Sequence, residues 1–166
     1  DAAMTSDLSE IKNIRSKKKF TISLAESCTG GMISKYLTSI NGSSLFFNGA
    51  CISYSNQMKI RLLKVSKNTI INYGAVSHQT ALAMVKGLKA ITDSEILVSV
   101  TGVAGPSGGT ARTPVGCVFF GIGSKINKKY TFQTTKKIFH EKTRIAIQKK
   151  STEYAIYLIL KELKKI

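Results

Sequence analysis

The sequence predicts an α/β fold in which a mixed sheet is covered by helices on both faces. Two observations carry this expectation. Strand-like segments, either alternating or continuously apolar, take turns with segments whose apolar residues recur at helical spacing. After the third strand that exchange stops, and Pro114 to Gly123 and Lys128 to Thr135 follow one another as the arms of a hairpin do. The 166 residues, 43% of them hydrophobic, suit one domain with a substantial core. No internal repeat, linker or low-complexity block divides residues 1–166, so a single domain is expected.

In chain order, Asp1-Ala2-Ala3 before Met4 reads as an expression scar and is set aside. Ser6 is placed to cap a first helix running to about Ser16, with Leu8, Ile11 and Ile14 on its apolar face. The basic run Arg15 to Lys19 ends it. Phe20 to Ala25 alternates as a strand, and the chain then turns through Glu26-Ser27-Cys28-Thr29-Gly30-Gly31 into a second helix reaching about Ile40. Asn41-Gly42-Ser43-Ser44 stops that helix, and the apolar Leu45 to Tyr54 reads as a buried strand. Asn56 is the expected cap of a short helix carrying Ile60, Leu63 and Val65. Asn72-Tyr73-Gly74 is a turn, and Ser77 caps a helix with Ala81, Met84, Val85 and Leu88 inward. Glu95 to Thr101 is a strand that runs into a glycine-rich loop, Gly102 to Gly109. The hairpin, joined through Ser124 to Asn127, leads to a last helix from about Glu141 to Lys164, its stripe formed by Ile145, Tyr154, Ile156, Tyr157, Leu160 and Leu163.

Composition narrows the functional classes. The net charge of +16 invites a nucleic-acid reading, but lysine supplies most of the excess and no aromatic platform accompanies it. A solvated basic surface that steers an anionic substrate is the expectation. Binding driven by charge alone would weaken steeply with salt. No apolar run reaches membrane-spanning length and no secretory pattern opens the sequence, so no membrane partner is expected. Cys28, Cys51 and Cys117 have neither paired nor metal-ligand spacing, which suggests a reducing cytoplasm and no metal.

Three strand ends deliver polar or glycine-rich loops, and in an open α/β sheet such loops meet over one crevice. Ser27 stands where a strand becomes a helix, a place whose free amides favour negative charge. Its capping role and a nucleophilic role both remain open on that stretch alone. Lys59 is the candidate base, since a lysine kept neutral by burial can take a serine proton, and Tyr54 is a candidate to relay the proton or orient the amine. Amides at Cys28, Thr29, Gly30 and Gly31 are candidates for holding an oxyanion. Cys28 is a rival nucleophile, its thiol favoured by the helix start. Thr101 at the third strand end, with Gly102, Gly105 and Gly108 behind it, lines the same crevice, and glycine-loop amides suit an anion. His78 and His140 are too poorly placed to support a serine triad.

These residues carry a resemblance. LAESCTGG at Leu24 to Gly31, GACISYSNQMKIRLL at Gly49 to Leu63, GAVSHQTALAM at Gly74 to Met84, and VTGVAGPSGGT with PVG at Val100 to Gly116 together resemble the CinA C-terminal domain family, from about Leu8 to the end. Active members of that family are nicotinamide mononucleotide amidohydrolases. The resemblance implies a three-layer α/β/α sandwich with a mixed, mostly parallel five-stranded sheet, no metal or other cofactor, and a homodimer. It implies conversion of nicotinamide mononucleotide to nicotinate mononucleotide and ammonia in pyridine nucleotide salvage. By motif, Ser27 matches the nucleophile, Lys59 the base, Tyr54 its helper and Thr101 a polar lining residue. The chain departs from the family pattern at Ser107, at Ala111-Arg112-Thr113 in place of Pro-Glu-Lys, and at Gln148 where a second arginine is usual. Arg112 and Arg144 are the candidates to help the glycine loop hold the 5′-phosphate. The alternative is a catalytically silent module, binding a nucleotide or a protein partner, in DNA uptake or damage responses.

Overall fold

The computed structural model describes residues 2–166. Its elements follow in the order α1 (Ala2–Arg15), β1 (Ile22–Glu26), α2 (Met32–Leu37), β2 (Phe47–Ile52), α3 (Asn56–Leu63), α4 (Lys67–Tyr73), α5 (His78–Lys89), β3 (Ile96–Gly102), β4 (Cys117–Ile126), β5 (Lys129–Ile138) and α6 (Arg144–Leu163). One five-stranded sheet has the order β2-β1-β3-β4-β5. β1 is parallel to β2 and β3, whereas β4 is antiparallel to β3 and β5. Four strands therefore point one way and β4 alone opposes them. The carboxyl ends of β1, β2 and β3 share one edge of the sheet, as the loop argument requires.

Burial explains the layers. All five residues of β1 and six of the seven in β3 are buried, because these central strands are covered on both sides. On one face Met4, Leu8 and Ile11 of α1, Ile33 and Leu37 of α2, and Ile147, Ile156 and Ile159 of α6 pack into a single cluster with the strands. On the other, Leu63 of α3 and Met84, Val85 and Leu88 of α5 close over Ala25 and Leu97. The expected mixed α/β/α sandwich is what the chain forms. No helix among the described residues is long and apolar enough to cross a membrane.

Several expected boundaries move. α1 begins at Ala2 rather than at a Ser6 cap, because Met4 continues the i, i+4, i+7 face of Leu8 and Ile11 and is only 3% exposed. Ala2 and Ala3, set aside as a scar, are thus helical; Asp1 lies outside the described residues. α2 stops at Leu37 instead of Ile40, where the hydroxyls of Thr38 and Ser39 turn back onto preceding carbonyls. β2 is an edge strand with alternating exposure and not a buried one, and Leu45 and Phe46 precede it in a short 3₁₀ turn and its cap. Ser55, not Asn56, caps α3 by accepting from the Met58 amide at 3.1 Å.

α4 was not expected, since KNTIINY is rich in residues that form helices poorly; its packing on α5 overrides that preference. The hairpin turn is the two residues Asn127 and Lys128, both left-handed (φ 52° and 69°), so β4 extends through Ser124 to Ile126. α6 starts at Arg144 behind a Thr143 cap rather than at Glu141, and its buried face is Ile147, Ser151, Ala155, Ile156, Ile159 and Leu163. Ile145 and Tyr157, expected on that face, are 59% and 46% exposed.

Candidate active site

At the end of β1 the backbone leaves the sheet through Ser27, whose amide still donates to the Val100 carbonyl of β3 at 3.1 Å. The chain then reverses tightly, Gly30 and Gly31 adopting left-handed φ values of 58° and 102° that explain the paired glycines. The turn is organised by Glu26, which is fully buried. Its carboxylate accepts from the Thr29 hydroxyl at 2.6 Å, the Gly31 amide at 3.2 Å and the Ile33 amide at 3.1 Å. It also accepts from the Ser34 amide at 2.9 Å and the Ser34 hydroxyl at 2.6 Å. Glu26 therefore caps α2 and already occupies the amides at the start of that helix.

This corrects the oxyanion expectation. The Gly31 amide belongs to Glu26, and the Gly30 amide donates to the Ser27 carbonyl at 3.0 Å. Among the described residues, the amides of Cys28 and Thr29 alone in this turn have no oxygen acceptor in the protein.

Lys59 arrives from the other side of the crevice. α3 begins directly after β2, so its first full turn brings Lys59 back over the strand end, where it is 2% exposed. The Nζ donates to Ser27 Oγ at 2.9 Å, to the Ser53 carbonyl at 3.0 Å and to the Tyr54 carbonyl at 2.9 Å. Burial draws its pKa down from 10.5 to about 8. When the amine is neutral, its two N–H groups satisfy the two carbonyls and its lone pair is left facing the serine hydroxyl. That is the geometry of a nucleophile with its base.

Cys28 loses its rivalry here. Its thiol is buried, and desolvation pushes its pKa up to about 12 despite the nearby Lys59 cation, so the helix start does not activate it. The Tyr54 phenol makes no hydrogen bond to Lys59. It accepts from Arg144 Nη2 at 2.6 Å, and the residue's backbone carbonyl is what holds the amine. Arg144 Nη1 donates to the Gly105 carbonyl at 2.7 Å, so the guanidinium ties the β2–α3 turn to the glycine loop from the start of α6.

Thr101 is 1% exposed and donates to the Ala75 carbonyl at 2.8 Å, which fixes the loop before α5 against the sheet. Gly102 is required by packing, since a Cβ there would come within 2.8 Å of the Cys117 carbonyl. Gly105 and Gly108 adopt left-handed φ values of 77° and 89°.

These residues enclose a cavity of about 280 Å³. Ser27, Cys28, Tyr54, Lys59, Thr101, Gly102, Gly105, Gly108 and Arg144 all line it, together with Asn56, Ala75, Val76 and Ser107, which were not among the expected site residues. Thr29, Gly30 and Gly31 stand behind it as parts of the Glu26-held turn. Arg112 is elsewhere, in a neighbouring cavity. Two supporting roles were missed. Glu26 had the signal of an acidic residue just ahead of a helix start, and Gln148 of α6, noted only as a departure from the family pattern, donates its Nε2 to the Cys28 carbonyl at 3.0 Å. Among the described residues no group of three or more His, Cys, Asp or Glu is arranged to hold a metal ion.

A three-layer α/β/α domain with a crevice over its parallel strand ends, furnished by the turn after β1, is the class that fold and site define. The chain belongs to the CinA family: the model of the CinA C-terminal domain matches residues 5–163. It is 43% identical over 155 residues to a putative competence-damage inducible protein of Halothermothrix orenii, covering 93% of this chain and 37% of that protein. It is 47% identical over 144 residues to a CinA-like protein of Petrotoga mobilis, covering 87% of this chain and 34% of that protein. The chain thus spans about a third of the length of these curated relatives.

Among solved structures, it is similar to the competence/damage inducible protein CihA of Agrobacterium tumefaciens, with 31% identity, a TM-score of 0.89, and 98% and 96% of the two chains covered. It is also similar to the competence damage-inducible protein A of Klebsiella pneumoniae, with 25% identity, a TM-score of 0.87 and 97% of each chain covered.

Proposed function

We propose that the domain is a serine–lysine amidohydrolase acting on the carboxamide of a nicotinamide nucleotide, nicotinamide mononucleotide being the substrate that the family resemblance implies. The observation that carries this reading is the 2.9 Å contact between Lys59 Nζ and Ser27 Oγ, with both remaining amine hydrogens matched to backbone carbonyls.

In the first step Ser27 Oγ attacks the carboxamide carbon as Lys59 takes the hydroxyl proton, forming a C–O bond and a tetrahedral oxyanion near the Cys28 and Thr29 amides. The C–N bond then breaks, Lys59 returns the proton to the leaving nitrogen, and ammonia departs. Water attacks the acyl-enzyme with Lys59 again as base, releasing the carboxylate and restoring the Ser27 hydroxyl.

The test is ammonia release from nicotinamide mononucleotide by the native chain, by Ser27→Ala and by Lys59→Ala. Turnover is expected for the native chain and a loss of at least 1,000-fold, an order-of-magnitude figure, in each variant. Turnover that survives Ser27→Ala rejects the mechanism. Nucleotide binding without any ammonia release from the native chain points instead to a silent binding module.

A further inference from the structure

Next to the Ser27 cavity lies a second one of about 270 Å³, and the two have Val76 in common. Arg112, Lys136 and His78 line it, with Phe119 among them, and its lining contains no carboxylate. Arg112 and Lys136 form no ion pair among the described residues. Phe119 gathers the group around one ring: the His78 ring meets it edge-on at 4.7 Å, and the Lys136 ammonium lies 5.7 Å from its centroid. His78 Nδ1 is also held to the Thr134 hydroxyl at 2.9 Å. A concave site with two basic side chains and no carboxylate concentrates anions, and a guanidinium beside an ammonium suits a phosphate.

The sheet sets the distance between the two cavities. Ser27 bonds to Val100, and the next residue of β3, Thr101, is the cross-strand partner of Phe119, which in turn is paired with Lys136. At a strand spacing of about 4.8 Å, Phe119 is two strands, or about 10 Å, from Ser27 along that row and the Lys136 backbone three, or about 14 Å, with the Lys136 ammonium brought to 5.7 Å from the Phe119 ring. That span suits a ligand with a reacting amide at one end and an anionic group at the other, separated by a ring and a pentose. Arg144, the other candidate, already spends two donors on the Gly105 carbonyl and the Tyr54 phenol.

We propose that the second cavity is the phosphate subsite of the substrate, so that a nicotinamide nucleotide lies across β3 and β4 with its carboxamide at Ser27 and its 5′-phosphate between Arg112 and Lys136. This rests on the amidohydrolase reading for the identity of the amide end. The phosphate end stands on the Arg112–Lys136 cavity alone.

Calorimetric titration of the Ser27→Ala chain at fixed ionic strength, with nicotinamide mononucleotide, nicotinamide riboside and inorganic phosphate, tests it. The nucleotide is expected to bind at least about tenfold more tightly than the riboside, and inorganic phosphate to compete with the nucleotide. In Arg112→Ala/Lys136→Ala that preference collapses to about twofold or less, whereas Lys17→Ala/Lys18→Ala, in the turn after α1, keeps it. Both substituted side chains are exposed, and an unchanged thermal midpoint verifies the fold. A preference that persists in Arg112→Ala/Lys136→Ala, or one that is absent from the parent chain, overturns the subsite. The amidohydrolase reading fails separately: phosphate-dependent binding that needs Arg112 and Lys136, with no ammonia released by the native chain, rejects the chemistry and keeps the subsite.

Discussion

The side chain on which the chemistry turns is a lysine in an unusual place. In a chain this rich in lysine nearly all of these side chains are solvated, yet Lys59 is 2% exposed. Its folded pKa of about 8 lies below the 10.5 of an ordinary lysine, so between those values the folded chain binds fewer protons than the unfolded one. The sign follows: the cost of holding a buried cation is complete below about pH 8 and is relieved as pH rises from 8 toward 10.5. Relative to Lys59→Met, the native chain should therefore gain about 3 kcal/mol of stability across that window, measured by denaturant unfolding of both proteins at matched pH. A flat difference would mean that the amine is not desolvated. The pairing of Ser27 with Lys59 was legible because the two sit at successive strand ends. The burial of Lys59 was not, since the carbonyls that hold it belong to Ser53 and Tyr54 and have no side-chain signature. Cys28 misled for a related reason: its position beside a helix start is visible in sequence, but the burial that desolvates its thiol is set by the fold.

At the scale of elements, the position of Lys59 depends on how closely α3 approaches α5. A Cβ at Gly87 of α5 would fall 1.8 Å from the Leu63 carbonyl at the end of α3, so the two helices meet only because that side chain is absent. Gly87→Ala is expected to lower stability by about 1–3 kcal/mol in urea unfolding and to reduce ammonia release as well, because the helix that must retreat carries the base. Normal turnover in a destabilised Gly87→Ala would show that α3 moves without Lys59. The strongly periodic elements were readable in the sequence, α5 above all, with Ser77 capping it as expected through the Thr80 amide at 3.1 Å. β2 misled because an edge strand and a buried strand share an apolar composition. α4 was invisible because its helicity comes from packing and not from its residues.

For the molecule as a whole, the sandwich follows from the order of periods along the chain, and the convergence of three loops follows from the strands that feed them. The charge of +16 acts at this scale too. Raising salt from 0.01 to 0.1 M shortens the screening length from about 30 to about 10 Å, so kcat/KM for the net-anionic nucleotide should fall over that range while that for the riboside, whose only charge is its pyridinium cation, should not fall. Equal salt dependence for both would remove any role for the surface in drawing the substrate in. The central claim is nevertheless local, that an amine held by two carbonyls takes its proton from one hydroxyl, and the pH profile of ammonia release tests it most directly. The rate should climb as the amine loses its proton, level off above about pH 8, and be abolished in Lys59→Arg. A rate that is flat across that pH, or that persists in Lys59→Arg, would contradict it.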